Sequence, residues 1–509
     1  MRVALIWAGV TAALISAPPA EAGFKRQALE VPGSVLWVTH GDLDGDGFTD
    51  LVVSYRRGSG PVAKRFLAVF FRGEDGYPAR PQLAYEAPDR AAAFDVGDAV
   101  GDARDELVFL TSTGVFVQPF EGRKPKPATR LVAAPTLVSG PEAEDLITWD
   151  FLRRFPGRPA PMLMVPGRRG LRVYERRPGA EGKADTFEVW ADLRLDLESY
   201  YDAESATYRR SGRGGSSGRP YSFRVTTVVP NLEWVDQTGD GRVDLVTYYE
   251  DRVALFPQRE DGTLSPTPTY RHWFKVLTPD ELASRDVQVS ARVRDLDGDG
   301  VADLVLGKIG GGVTTLSTEL RLHRGLKGGG FAEAPEQVFK DAGFAALSDF
   351  VDLDGDGALE MVHPLSEVSV MSMSRALLSQ SLSLDVRVRE RGEKGFFEPK
   401  PVQVLETSYG LDLSVGAAIK GAAPIFGLDF TGDGVPDALL SEGGDALALW
   451  AGKKGGAARF EDTHIRLEAP GSNTTQPIPA RTNGGPTDLV VYYVAHKTLA
   501  TRLFVFIRE

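Results

Sequence analysis

The stretch GDLDGDGFTDLVVSY, residues 41–55, sets four carboxylates, Asp42, Asp44, Asp46 and Asp50, into nine positions and follows them at once with an apolar run. Carboxylates this close repel one another unless a cation sits among them. The interspersed Gly45 and Gly47 permit a sharp turn. The run after them, DLVVSY, has the β-branched and aromatic content of a buried strand.

The pattern recurs along the chain. DQTGDGRVDLV starts at Asp236, DLDGDGVADLV at Asp295, DLDGDGALEMV at Asp352 and DFTGDGVPDAL at Asp429. A worn copy, DAVGDARDELV, starts at Asp98. Flanking strand signals place two further slots, one at Asp150 and one near residue 480, where RTNGGPTDLVVYY keeps the final Asp-Leu and little else. A repeat of roughly 50–60 residues, each holding short alternating apolar runs separated by turns, has the cadence of a four-stranded propeller blade. The expectation is therefore an all-β chain forming a single β-propeller of eight four-stranded blades, with seven as the alternative because two slots are weak. The last unit stops after its third strand, and FKRQALEVPG near the N-terminus reads as an orphan outer strand. If it joins the last blade, the ring closes and leaves no bare sheet edge.

In the nine-residue loop, side-chain oxygens come from positions 1, 3, 5 and 9 and a main-chain carbonyl from position 7. An oxygen cage rich in carboxylates suits Ca²⁺ better than Mg²⁺ or zinc. An EF-hand would need a glutamate at position 12, but Val53 stands there, inside a strand. The expected ligand sets are Asp42, Asp44, Asp46, Phe48 and Asp50; Asp236, Thr238, Asp240, Arg242 and Asp244; Asp295, Asp297, Asp299, Val301 and Asp303; Asp352, Asp354, Asp356, Ala358 and Glu360; and Asp429, Thr431, Asp433, Val435 and Asp437. That makes about five Ca²⁺ sites. The loops with Thr238 and Thr431 have one carboxylate fewer and should bind more weakly. The loop at Asp98 has Val100 at position 3 and is a poor site, and the slot at Asp150 reads as a plain turn.

These motifs resemble the FG-GAP/VCBS repeats, best known from the propellers of integrin α subunits. The resemblance implies a β-propeller with Ca²⁺ in the loop between the first and second strands of a blade. Its members include adhesion modules, lectin-like proteins and calcium-dependent rhamnogalacturonan lyases, so the fold alone leaves function open.

The 509 residues carry a formal net charge of −12, which argues against nucleic acid as partner, and five Ca²⁺ ions would bring the chain close to neutrality. Cysteine is absent, which excludes disulfides and thiolate metal sites. Residues 1–22 read as a signal peptide: Arg2, then VALIWAGVTAALISA, then Ala20-Glu21-Ala22 as a cleavage site. The mature chain, 23–509, is expected to be one exported propeller with no membrane span, its final place being periplasm, cell surface or medium.

Two insertions interrupt the repeat, at about 191–220 and 365–395. The first carries Tyr200, Tyr201, Tyr208, Arg209 and Arg210, side chains suited to sugars or acidic glycans; a linker is the plainer reading. The second should open with a short helix and end in a strand. None of the six histidines forms a spaced metal motif, and His40 and His363 read as structural. No catalytic set stands out. The sequence thus reads as a calcium-stabilised binding, adhesion or scaffold module for a glycan or protein. The alternative is a calcium-dependent lyase acting on acidic polysaccharide.

Overall fold

The computed structural model describes residues 23–509 except 60–62, 139–145, 156–157, 159, 180–184, 202–224, 285–286, 313–314, 346–347, 394–395, 414–417, 457, 470, 472–473, 483 and 495. The expected signal peptide lies outside the described residues, as do Tyr208, Arg209 and Arg210.

The chain is all-β, built mostly of consecutive antiparallel four-strand meanders, the sixth and seventh of which join into one ten-stranded sheet through a parallel contact of Ser408 with Glu442. The first runs Ser34–Gly41, Asp50–Arg57, Lys64–Phe70 and Leu83–Glu86. The second runs Ala93–Gly97, Glu106–Thr111, Gly114–Gln118 and Thr129–Ala133. Ile147–Thr148 adds to the second meander in parallel, beside Ala93 and Phe94. The third runs Leu152–Arg153, Met162–Gly167, Gly170–Arg177 and Thr186–Arg194. The fourth runs Asn231–Val235, Asp244–Tyr248, Arg252–Phe256 and Tyr270–Trp273. The fifth runs Gln288–Arg294, Asp303–Gly310, Ser317–His323 and Gln337–Ala342.

In the sixth, Phe344–Ala345 and Asp349–Val351 both pair with Glu360–Ser366, followed by Ser381–Arg389 and Gln403–Asp412. The seventh runs Ile425–Leu428, Asp437–Glu442, Ala446–Trp450 and Ile465–Glu468. The eighth runs Thr474–Pro479, Thr487–Tyr492 and Arg502–Arg508, and its fourth strand is the N-terminal Phe24–Glu30, antiparallel to Arg502–Arg508 from Phe24↔Arg508 to Glu30↔Arg502.

Packing links these sheets in order. The second strand of the first sheet shows why its sequence is a continuous apolar run. Leu51, Val53 and Tyr55 join a cluster with Val490, Tyr492, Leu503 and Val505 of the eighth sheet. Val52 points the other way, into a cluster with Phe94, Leu107 and Phe109 of the second. A strand covered on both faces loses the polar alternation of a half-exposed one. Further clusters join the second sheet to the third, the third to the fourth, the fourth to the fifth, the fifth to the sixth, the sixth to the seventh and the seventh to the eighth.

Two details differ from the sequence reading. Asp150 precedes the first strand of the third sheet, Leu152–Arg153, rather than following it, so the connection equivalent to the acidic loops begins after Arg153. That segment, RFPGRPAP, lacks the glycine and aspartate spacing that marks the others. In the first insertion, Thr186–Arg194 is the outer strand of the third sheet, and only after it does a two-stranded ribbon, Glu198–Tyr201 with Val225–Val228, leave the sheet. Tyr200 and Tyr201 lie on that ribbon, their backbones opposite Thr226 and Val225. The second insertion forms the helix Val370–Ser379, capped by Ser369 and Ser372, and then the strand Ser381–Arg389.

Candidate metal loops

Each good copy of the motif connects the first and second strands of its sheet, so the acidic turns stand at equivalent places. The turn is made by paired glycines in the left-handed region, Gly45 and Gly47 at φ 78° and 83° in the first loop. A side chain at either position would be strained. The carboxylate at position 1 organises the loop. Asp42 Oδ1 accepts from the N–H groups of Gly45 and Asp46 at 2.8 and 3.1 Å, and its Oδ2 accepts from Gly47 at 2.9 Å. Asp236 and Asp429 take the same three bonds in their loops.

Three loops draw three carboxylates together, with one oxygen of each lying within 4.8 Å of the others. These are Asp42, Asp44 and Asp50; Asp295, Asp297 and Asp299; and Asp352, Asp354 and Asp356. They are the three loops with four carboxylates in the sequence. Among the described residues no such trio forms in the loops with Thr238 and Thr431. Arginines lie against the trios. Arg123 Nε sits 2.7 Å from Asp44 Oδ2, Arg324 pairs with Asp297, and Arg459 Nη2 lies 3.0 Å from Asp354 Oδ2. Arg123 and Arg459 come from the sheet that follows the loop, and Arg324 from the loop's own sheet.

The residue at position 9 has a second task that the sequence reading missed. Asp50 is fully buried; its Oδ2 accepts from Leu43 N–H and its Oδ1 from Arg72 N–H, both at 3.0 Å. Asp244 joins Gln237 and Thr238 to Gln258, Asp303 joins Leu296 to Gly325, and Asp437 joins Phe430 and Thr431 to Gly452 in the same way. Glu360 accepts from Leu353 N–H at 2.8 Å and faces Arg459 at 3.5 Å. Position 9 thus ties the start of the acidic turn to the chain leaving the third strand. Burial pushes the Asp50 carboxyl up to about 8, Glu360 to about 7 and Asp303 to about 6. A nearby cation would offset that penalty. The position 7 residues donate their N–H to the position 5 carboxylate, as Val301 to Asp299 and Ala358 to Asp356; the Phe48 ring also lies under Arg481, and the Arg242 guanidinium pairs with Asp240 and donates to the Gln258 carbonyl at 3.1 Å.

Worn copies lose the cage and keep only a buried carboxylate at position 9. In the second sheet Glu106 holds position 9, accepting from Ala99 and Val100 N–H at 2.9 and 3.3 Å, and Asp98 faces Arg176. Ala103 occupies the place of the second glycine at φ 66°. In the eighth sheet Asp488 holds position 9, fully buried, and pairs with the buried guanidinium of Arg72 from the first sheet. There an arginine guanidinium faces the buried carboxylate. The periodicity that revealed the loops carried no sign of Arg72, which lies 416 residues away.

Two repeat models match parts of the chain that hold these loops. The FG-GAP repeat matches residues 35–63, and the FG-GAP-like repeat matches 236–306 and 295–363. No curated protein matches the chain. Among solved structures, a lectin from Agrocybe aegerita, described for recognition of non-reducing terminal N-acetylglucosamine, is 15% identical over 86% of this chain and 94% of its own, with a TM-score of 0.40. The Dos1 propeller is 8% identical over 95% of both chains at 0.42. The V. cholerae biofilm matrix protein Bap1 is 12% identical over 94% of this chain and 88% of its own at 0.30. Overlaps this low carry no argument about function.

Proposed function

We propose that this chain is an exported eight-bladed β-propeller that binds a glycan or protein partner and is stabilised by Ca²⁺ in its FG-GAP loops. The eight-bladed ring is supported by eight apolar clusters that join the sheets in cyclic order, the last of them pairing the eighth sheet with the first. The observation that carries the metal reading is the set of three carboxylate trios, each at the same turn of its own repeat. Three negatively charged oxygens on a turn shaped by left-handed glycines suit a hard cation that accepts irregular oxygen geometry, as Ca²⁺ does. Asp42, Asp44 and Asp50, Asp295, Asp297 and Asp299, and Asp352, Asp354 and Asp356 would hold it. The loops of Asp236 and Asp429 would bind more weakly, because Thr238 and Thr431 stand where the others have a carboxylate and no trio forms there among the described residues. The bound ion supplies charge and rigidity to the ring rather than chemistry.

Binding by surfaces of a rigid ring agrees with a chain whose described helices include none long and apolar enough to cross a membrane. A glycan array with the calcium-loaded full chain tests the partner reading, run beside an absorbance assay on pectic polysaccharides. Retention of a glycan without turnover supports it. Appearance of unsaturated products would replace it with the lyase reading.

A further inference from the structure

A second polar constellation lies away from the acidic loops, at the joint of the fifth and sixth sheets. Ser348, just ahead of Asp349–Val351, places its Oγ 2.7 Å from Nδ1 of His363. The other ring nitrogen, Nε2, lies 3.4 Å from Asp341 Oδ2 on the outer strand of the fifth sheet. Asp341 is fixed in turn by Arg387, whose Nη1 bonds its Oδ1 at 2.6 Å. Ser348 and His363 are buried, and Asp341 is largely so. With its proton on Nε2, which lies 3.4 Å from the carboxylate but outside hydrogen-bond geometry, His363 leaves a bare Nδ1 to accept from the serine hydroxyl. That is the proton arrangement a serine nucleophile needs from its base. Both residues line a cavity of about 220 Å³. Val289, Ile309, Leu320 and Phe344 make much of its wall apolar, and Ser290 adds a further hydroxyl.

We propose that Ser348, His363 and Asp341 form an acyl-transfer site that hydrolyses esters of small apolar acyl groups admitted to this cavity. Ser348 Oγ attacks the ester carbonyl carbon while its proton passes to His363 Nδ1. The carbon–oxygen ester bond then breaks, and the leaving alcohol takes that proton. Water attacks the acyl-serine, giving a proton to Nδ1; the carboxylic acid departs and Oγ recovers its proton. Ser348 and His363 are the catalytic residues, and Asp341 positions the ring. The activity is independent of the calcium reading, since none of the three residues belongs to an acidic trio.

The test treats the folded full chain with a fluorophosphonate probe and maps the adduct by peptide mass, with p-nitrophenyl acetate turnover in parallel. The expected result is one adduct, on Ser348, absent in Ser348→Ala and retained in Ser290→Ala. His363→Gln should slow labelling by about 100-fold or more, the scale of a lost general base. Asp341→Asn should move the pH–rate profile of labelling, a change that a purely structural clip would not produce. Should His363→Gln fail to fold, the pH dependence of labelling in the unaltered chain still decides. Absence of an adduct on Ser348, a labelling rate with no histidine-like pH dependence, or labelling undiminished in folded His363→Gln overturns the proposal and leaves the trio as a structural clip.

Discussion

Arg72→Met offers a sharp test of the joint between the first and eighth sheets. The Arg72 guanidinium is buried against Asp488, itself fully buried, and stacks at 5.3 Å on Tyr77. Removing one member of a buried ion pair leaves the other charge without compensation, which costs about 3–5 kcal/mol. Methionine keeps much of the volume, and the Arg72 N–H bond to Asp50 survives, so the loss reports the charge rather than a cavity. Urea unfolding should show a midpoint lowered by that amount divided by the slope. The double variant Arg72→Met/Asp488→Leu, with no charge left to bury, should recover most of the loss. A loss below about 1 kcal/mol, the range of exposed pairs, would refute the reasoning.

Three further outcomes are expected. Ala103 stands at φ 66° where the intact loops have glycine, so Ala103→Gly should raise stability by about 1 kcal/mol in a denaturant titration; no gain would mean that the strain is relieved elsewhere. Burial pushes the Asp95 carboxyl up to about 7, while in the unfolded chain it titrates near the ordinary 3.8. The folded state therefore holds its proton over a window where the unfolded state has lost it. Its contribution to stability is full below about pH 4 and declines as pH rises to about 7, by up to roughly 4 kcal/mol. Asp95→Asn should flatten that part of the stability profile, and an unchanged slope would contradict the assignment. Thr431→Asp restores the fourth carboxylate to the seventh repeat and should tighten Ca²⁺ binding there, measured as a change in one weak step of a calorimetric titration.

Much of the architecture was legible because one physical device recurs. Two glycines, a position 1 aspartate and a buried position 9 carboxylate must stand at fixed spacing to make the turn, so GDLDGDGFTD and its sisters mark where each sheet begins. Phe24–Glu30 could be placed on the last sheet because an unmatched strand and an unfinished sheet are complementary shortages. The third repeat was misplaced at Asp150 because RFPGRPAP makes its connection without those markers. The double role of Asp50 and its counterparts was hidden, since their partners are backbone N–H groups that any sequence supplies. Arg72 with Asp488, and Asp341 with His363, meet only through packing between adjacent sheets, while Ser348 meets His363 across paired strands of the sixth. Their spacing along the chain follows no motif.

Whether the loops hold calcium decides how the repeats are stabilised. Calorimetric titration of the metal-free full chain with Ca²⁺, paired with thermal melting in the presence and absence of EGTA, measures this. The prediction is two classes of site, three tighter ones at Asp42, Asp295 and Asp352 and two weaker ones at Asp236 and Asp429. Melting should move to lower temperature on chelation, because the clustered carboxylates then repel one another. A titration without binding heat, together with a melting temperature indifferent to EGTA, would contradict it.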